Sequence, residues 1–237
     1  MTFGTKILRF IKKKFYPPRC IFCRSVMEDG TQLCLCRTCA AKVSRIPSER
    51  CPVCGLVTPL GSNVCWECAA KKIYFKSHKS PYFYENEVRR SLLRFKFYGK
   101  AHYAKTMGII MASYIPYDAN IDYITWVPMT KKQIKARGYN QSKLLAKSVS
   151  EYSSGELKEL LYKVKSTGKQ SRLNAAARAA NIRGAFSCGV DLNGKNILLI
   201  DDIYTTGSTL NECSKVLKRS GANEIYCLTF ASTRMKK

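Results

Sequence analysis

Ile197-Leu198-Leu199-Ile200-Asp201-Asp202-Ile203-Tyr204-Thr205-Thr206-Gly207-Ser208-Thr209 is the stretch on which the reading of this 237-residue chain turns. The four apolar residues Ile197 to Ile200 are too short a run for a core helix and read as a buried strand. Two carboxylates follow at once, then a loop of small hydroxylated residues around one glycine. Beyond it Leu210, Cys213, Val216 and Leu217 recur at helical spacing and stop at Gly221, a residue suited to end a helix. The order is therefore strand, acidic pair, phosphate-sized loop, helix. Free N–H groups at a helix N-terminus carry partial positive charge, so the loop suits an anion. The carboxylates suit sugar hydroxyls or a divalent cation beside it. The ligand that meets both demands is a sugar phosphate.

An apolar strand ending in acids also occurs in P-loop ATPases, but that reading requires a GxxxxGK[ST] loop. Gly168-Lys169 has no glycine five residues before it and is followed by Gln170, so the motif is missing. The remaining alternative is a strand with a solvated acidic turn. At nearly every position the thirteen residues resemble the phosphoribosyl pyrophosphate (PRPP) signature of type I phosphoribosyltransferases. The resemblance implies that Asp201 and Asp202 contact the ribose hydroxyls. It likewise implies that Thr205, Thr206, Gly207, Ser208 and Thr209 wrap the 5′-phosphate.

Twelve cysteines are present, nine of them between Cys20 and Cys68. Eight form four C-x2-C pairs: Cys20/Cys23, Cys36/Cys39, Cys51/Cys54 and Cys65/Cys68. Twelve and ten residues separate the pairs within the two halves, which suits two tetrahedral four-cysteine Zn2+ sites. Spacing leaves an interleaved pairing open, and leaves Cys34 as a substitute for Cys36. About 70 residues poor in large apolar side chains cannot fold on a core alone, so we expect zinc to act first as a staple. A nucleic-acid or partner finger is the competing reading. Thiols kept for metal imply a reducing compartment, and the expected location is cytoplasmic. Cys188, Cys213 and Cys227 read as small buried hydrophobes.

Lysines and arginines interrupt the first 16 residues, so they form neither a signal peptide nor a span. Phe3, Ile7, Ile11 and Phe15 recur every four residues, predicting a short basic amphipathic helix. It would pack on the protein or lie at the inner face of a membrane. The formal net charge is +25, and two four-thiolate zinc sites would lower it by only about four. Such a balance favours a polyanionic partner. Basic clusters (Lys71 to Lys79, Arg89 to Lys100, and a loop with Lys131, Lys132, Lys135 and Arg137) interleave with Tyr82-Phe83-Tyr84 and Phe95 to Tyr98. That mixture suits single-stranded nucleic acid, whose bases stack while its phosphates pair with cations.

Composition shifts near Ser80, predicting three parts: a basic amphipathic segment (1–16), a double zinc ribbon (17–79) and an α/β domain (80–237). Val88–Phe97, Ser142–Tyr152 and Glu156–Val164 read as helices, and Ile121–Val127 and Ile225–Phe230 as strands. The alternation implies a mainly parallel sheet flanked by helices, with ligands beyond the strands' carboxyl ends.

Three further segments carry a resemblance: Val127-Pro128 leading to RGYNQSKLLA (Arg137 to Ala146), QSRLNAAARAANIRGAF (Gln170 to Phe186), and the signature loop. With the cysteine pairs, they make the chain similar to the ComF/GntX family, the ComFC competence proteins, from Phe15 to Phe230. The family joins a double zinc ribbon to a type I phosphoribosyltransferase fold, and several members act in single-stranded DNA import. The resemblance implies PRPP binding with Mg2+. Lys131, Lys132 and Arg137 would then neutralise pyrophosphate, and Lys169 and Arg172 would lie on the loop that closes over the ligand. Ala177 stands where the family often has an acid. Three roles follow: a PRPP receptor in DNA uptake, an active phosphoribosyltransferase in nucleotide salvage, or a scaffold docking on a DNA-import helicase. An acceptor-base hood, if present, falls at Ser80 to Tyr84. His78 and His102 read as surface residues.

Overall fold

The structure, a computed structural model, describes residues 17–28, 30–58, 64–165 and 180–234. The amphipathic helix expected in residues 1–16 lies outside these residues, as do Lys169, Arg172 and Ala177. In chain order the elements are α1 (Arg37–Lys42), α2 (Trp66–Ala69), β1 (Ser77–Lys79), β2 (Tyr82–Phe83), α3 (Asn86–Phe97), α4 (Tyr103–Ala112), β3 (Tyr123–Trp126), α5 (Lys131–Arg137) and α6 (Gln141–Ser150). They continue with β4 (Glu156–Leu157), β5 (Leu161–Lys163), β6 (Phe186–Cys188), β7 (Ile197–Tyr204), α7 (Ser208–Arg219) and β8 (Ile225–Ser232).

Six strands form one sheet in the order β1-β8-β7-β3-β4, with β2 also on β8, and every pairing in it is parallel. β7 is central because it is apolar on both faces. Leu198 and Ile200 pack with α3, α4 and α6 (Leu92, Phe95, Met107, Leu145) on one side. Ile197 and Leu199 pack with Leu210, Cys213 and Leu217 of α7 on the other. Each large aliphatic residue buried this way contributes roughly 1.5–3 kcal/mol, which outweighs the weak propensity of short strands. The strand runs on through the acidic pair to Tyr204, in register with Ser232. Asp201 and Asp202 are thus its last turns of pleat rather than a turn after it.

The two ribbons straddle the β1 edge. Cys20, Ile21, Phe22 and Cys39 of the first join the α3/α4/α6 face; Cys51, Cys54, Leu56 and Cys65 of the second join the α7 face. Between them the ribbon chain covers the sheet edge. The His78 N–H donates to the Val53 carbonyl (2.7 Å), and the Phe83 N–H donates to that of Ser44 (3.2 Å). Covering an edge in this way removes a row of free backbone groups. Ser77–Lys79 pairs with Tyr226–Leu228 of β8, so the chain is already in the sheet before Ser80.

The helix expected at Glu156–Val164 is instead β4 and the start of the β5–β6 antiparallel pair. Leu157 pairs beside Ile124, and Leu160 and Leu161 are both buried, so tertiary burial on two sides overrides the helical spacing. The Lys131–Arg137 segment, read as a loop, is a helix. Thr130 caps it through a reciprocal box with Gln133, and Gly138 ends it at φ +84°. No helix of the described residues is long and apolar enough to cross a membrane.

Candidate functional site

Two side-chain networks converge where β7 ends. Asp202 is 8% exposed, and its carboxylate lies 2.8 Å from the Lys96 ammonium, delivered by the last turn of α3. Asp201 accepts hydrogen bonds from the Ser142 hydroxyl (2.7 Å) and from the Asp202 N–H (2.9 Å). Burial, together with the Asp202 charge beside it, pushes the Asp201 carboxyl up to about 7 against the pull of Ser142 and Lys96. Lys96 therefore offsets only part of a crowded negative pair, and ligand hydroxyls or a cation would relieve the rest.

The loop turns at Gly207, φ +72°, where an added Cβ would run into the Tyr204 ring, 2.6 Å from Cζ. Only glycine meets both conditions. The N-cap of α7 is Gly207, which offers it no side chain; the Ser208 N–H reaches the Thr206 hydroxyl at 3.5 Å, and the Thr206 and Ser208 hydroxyls share a hydrogen bond at its mouth (2.9 Å). A cleft of about 510 Å3 opens on the ribbon side of this loop, lined among others by Lys71, Lys72, Tyr74, Arg183, Ser208 and Lys215. Lys72 and Lys215 both stand over the Tyr74 ring, at 5.6 and 6.0 Å.

The cysteines resolve into two clusters, Cys20/Cys23/Cys36/Cys39 and Cys51/Cys54/Cys65/Cys68, with the sulfurs of each within 4.8 Å of one another. Grouping is consecutive, and Cys34 stands apart, its thiol toward the Thr31 carbonyl. The Cys23–Cys36 and Cys54–Cys65 sulfurs are 3.7 and 3.5 Å apart. A Zn–S bond of 2.3 Å implies a tetrahedron edge of about 3.8 Å, so the spacing fits zinc. Hydrogen bonds from Ser25 hold the Cys23 thiol down to about 6. Burial pushes Cys51 up, but N–H groups of Cys65, Cys54 and Val53 outweigh it and bring it to about 7. Burial raises the Cys20, Cys39, Cys54 and Cys68 thiols, and a bound dication reverses that by favouring thiolate.

These modules match known ones in the same order. Residues 11–70 match the double zinc ribbon domain, and residues 139–237 the phosphoribosyl transferase domain. Competence protein ComFC of Streptococcus pneumoniae is 28% identical over 91% of this chain and all of its own. Over most of its length the chain is thus similar to competence proteins of the ComF type. It is also 26% identical to the DNA utilization protein YhgH of Escherichia coli K12, over 90% of this chain and 96% of that one. Among solved structures, a glutamine PRPP amidotransferase from B. subtilis overlaps 57% of this chain and 30% of its own at 20% identity. The TM-score is 0.39, too loose to add to the assignment.

The structure sorts the residues singled out above. Arg137 points back toward the acidic pair's supports: its guanidinium donates to Gln141 Oε1 (3.3 Å) and lies 5.3 Å from the Phe97 ring centre. Gln141 in turn donates to the Lys96 carbonyl (3.5 Å). Asn140 caps α6 and ties it to Val127 (3.1 Å). Lys131 and Lys132 sit exposed on the first turn of α5. Arg94, counted among the basic residues, instead donates to the Ile21 and Phe22 carbonyls (2.9 and 2.7 Å), pinning the first ribbon to α3.

Tyr82 is a core residue packed with Phe22 and Phe230, and Phe83 is buried with the Arg234 guanidinium 3.9 Å from its ring centre, so they form no open hood. The exposed aromatics near the site are Phe97 and Tyr98. His78 is not a surface residue: it is 1% exposed and hydrogen-bonded at both ring nitrogens, while His102 is exposed as expected. Sequence reasoning missed Lys96, Ser142, His78 and Tyr204 as site residues. Lys96 was visible as a cation one residue from a helix end, but its partner lies 106 positions away (202 minus 96).

Proposed function

We propose that the chain is a receptor for PRPP, or a related 5-phosphoribosyl ligand, held with Mg2+ at Asp201 to Thr209 and used in handling single-stranded DNA during uptake. The carrying observation is the half-neutralised acidic pair joined, through the Gly207 turn, to the N-terminus of α7. The acids would take the ribose hydroxyls. N–H groups at the start of α7 and the hydroxyls of Thr205, Thr206, Ser208 and Thr209 would take the 5′-phosphate. Mg2+, carried on the ligand's oxygens, supplies charge neutralisation. Arg137 approaches from α5, and Lys131 and Lys132 extend the positive face toward the pyrophosphate.

Support for a DNA strand comes from the +25 charge and the exposed Phe97 and Tyr98. Further support comes from the cleft beside the loop, which Lys71, Lys72, Arg183 and Lys215 line. The names of the relatives, competence and DNA utilization proteins, agree with this reading. We favour the receptor over a salvage transferase because Tyr82 and Phe83, expected to hood an acceptor base, are buried. A DNA-import helicase is the partner that the exposed ribbon faces would meet.

Calorimetric titration with PRPP and Mg2+, with and without single-stranded DNA, tests this. Mg2+-dependent binding that DNA strengthens supports the proposal, and the Asp201→Asn/Asp202→Asn double variant should abolish it while keeping two zinc ions per chain. Wild-type affinity in that variant would sink the site assignment. Steady pyrophosphate release with a free base would move the reading to the transferase.

A further inference from the structure

One buried contact chain runs from the second ribbon to the anion loop. The His78 Nδ1–H donates to the Cys54 carbonyl at 2.7 Å, because a carbonyl only accepts; Nε2 faces the Thr229 hydroxyl at 2.9 Å. The His78 backbone is gripped as well. Its N–H donates to Val53, and a Cβ at Gly55 (φ +70°) would come 2.6 Å from its carbonyl oxygen. The imidazole then stacks on the Tyr204 ring, with centroids 4.2 Å apart and planes at 22°. Tyr204, in turn, is the surface against which Gly207 turns. Zinc knuckle, imidazole, phenol and loop glycine thus touch in series.

The first ribbon reaches the acidic end of the site instead, through Arg94 on its Ile21 and Phe22 carbonyls and Lys96 of the same helix on Asp202. Its core residues join the opposite sheet face, with α3 and α4. The asymmetry has a physical consequence. A close-packed chain of rigid rings transmits displacement, because a gap of even a fraction of an ångström forfeits its contacts.

We infer that His78 and Tyr204 are positioning residues that couple metal occupancy at Cys51/Cys54/Cys65/Cys68 to the shape of the anion loop at Thr205–Thr209. The second ribbon is then a determinant of ligand affinity. This inference rests on the reading of that loop as the phosphate site, but its structural half can be read without any ligand.

The test is amide hydrogen exchange on the full-length, zinc-loaded protein. Wild type is compared with Tyr204→Leu, Cys68→Ser and the double variant, with metal analysis of each. Both single variants should raise exchange at residues 205–210 by about tenfold while α4 and α6 keep their protection. The double variant should be no faster than either, because both breaks lie on one path. His78→Phe, which keeps a ring against Tyr204 but loses both side-chain hydrogen bonds, provides a second break should Tyr204→Leu fold poorly. It should give the same confined loss.

Unchanged loop exchange in a Cys68→Ser protein that has lost one zinc would overturn the coupling. So would multiplying effects in the double variant, or a rise spread equally through α4 and α6, which would mean global destabilisation. PRPP affinity, measured alongside, separates the two readings. Confined loop loosening with no PRPP binding even by wild type leaves the coupling standing and removes the ligand assignment.

Discussion

The Lys96 ammonium sits 2.8 Å from the Asp202 carboxylate, closing α3 onto the end of β7. Both groups are mostly buried, so neither is a surface ion pair whose worth salt would erase. Without a ligand, Lys96 holds the acidic pair by a direct ion pair to Asp202.

Lys96→Met should therefore cost stability in a pH-dependent way. Removing one partner of a buried pair typically costs about 3–5 kcal/mol, and partial exposure here argues for about 2–3. Without the Lys96 charge, the Asp201 carboxyl should also rise further, since that charge lowers it. Denaturant melts at pH 8 and pH 5 check this, with the larger loss expected at pH 8, where the pair must ionise. Equal losses at both would show that Lys96 acts by packing alone.

Asp201 works in the opposite direction from an ordinary salt-bridged acid. Its carboxyl stands at about 7 when folded, against the usual 3.8, so its contribution to stability is whole below pH 3.8 and lost as pH rises through 7. Asp201→Asn should leave stability near wild type at pH 4 and raise it by about 1–2 kcal/mol at pH 8 in the ligand-free protein. The same variant should lose PRPP binding. Wild-type PRPP affinity should climb from pH 6 to pH 8, as the pair gives up its proton to bind. Melts and titrations at these pH values would expose a flat profile, which contradicts the strained pair.

Gly207→Ala places a Cβ in a left-handed turn and against the Tyr204 ring. The backbone alone costs about 1–2 kcal/mol. PRPP affinity should fall at least about tenfold, with the two zinc ions retained. Retained affinity would mean that the loop does not hold the phosphate.

Cys36 and Cys34 separate cleanly by metal analysis. Cys36 lies in the four-sulfur cluster and Cys34 does not. Cys36→Ser should leave one tightly held zinc per chain, and Cys34→Ser two. The reverse result would overturn the consecutive grouping.

Short-range patterns were legible wherever the cause was local. The C-x2-C knuckles and the strand–acid–glycine loop were readable from spacing, because a knuckle and a tight turn are each set by a few adjacent residues. A parallel α/β sheet also followed from the order of apolar runs. Glu156–Val164 was misread because its apolar residues carry a helical spacing, and only the neighbouring Ile124 strand and burial on both sides turn it extended. The zinc grouping was undecidable in one dimension, since interleaved and consecutive pairings share the same intervals; the fold chooses by placing one ribbon on each face of the sheet. Lys96 on Asp202 and His78 on Tyr204 link residues more than a hundred positions apart, and His78 changes from a residue in a basic linker to a buried ring. Contacts of that range leave no periodicity in the chain. They exist only once the sheet has brought its edge, its central strand and the second ribbon into van der Waals contact.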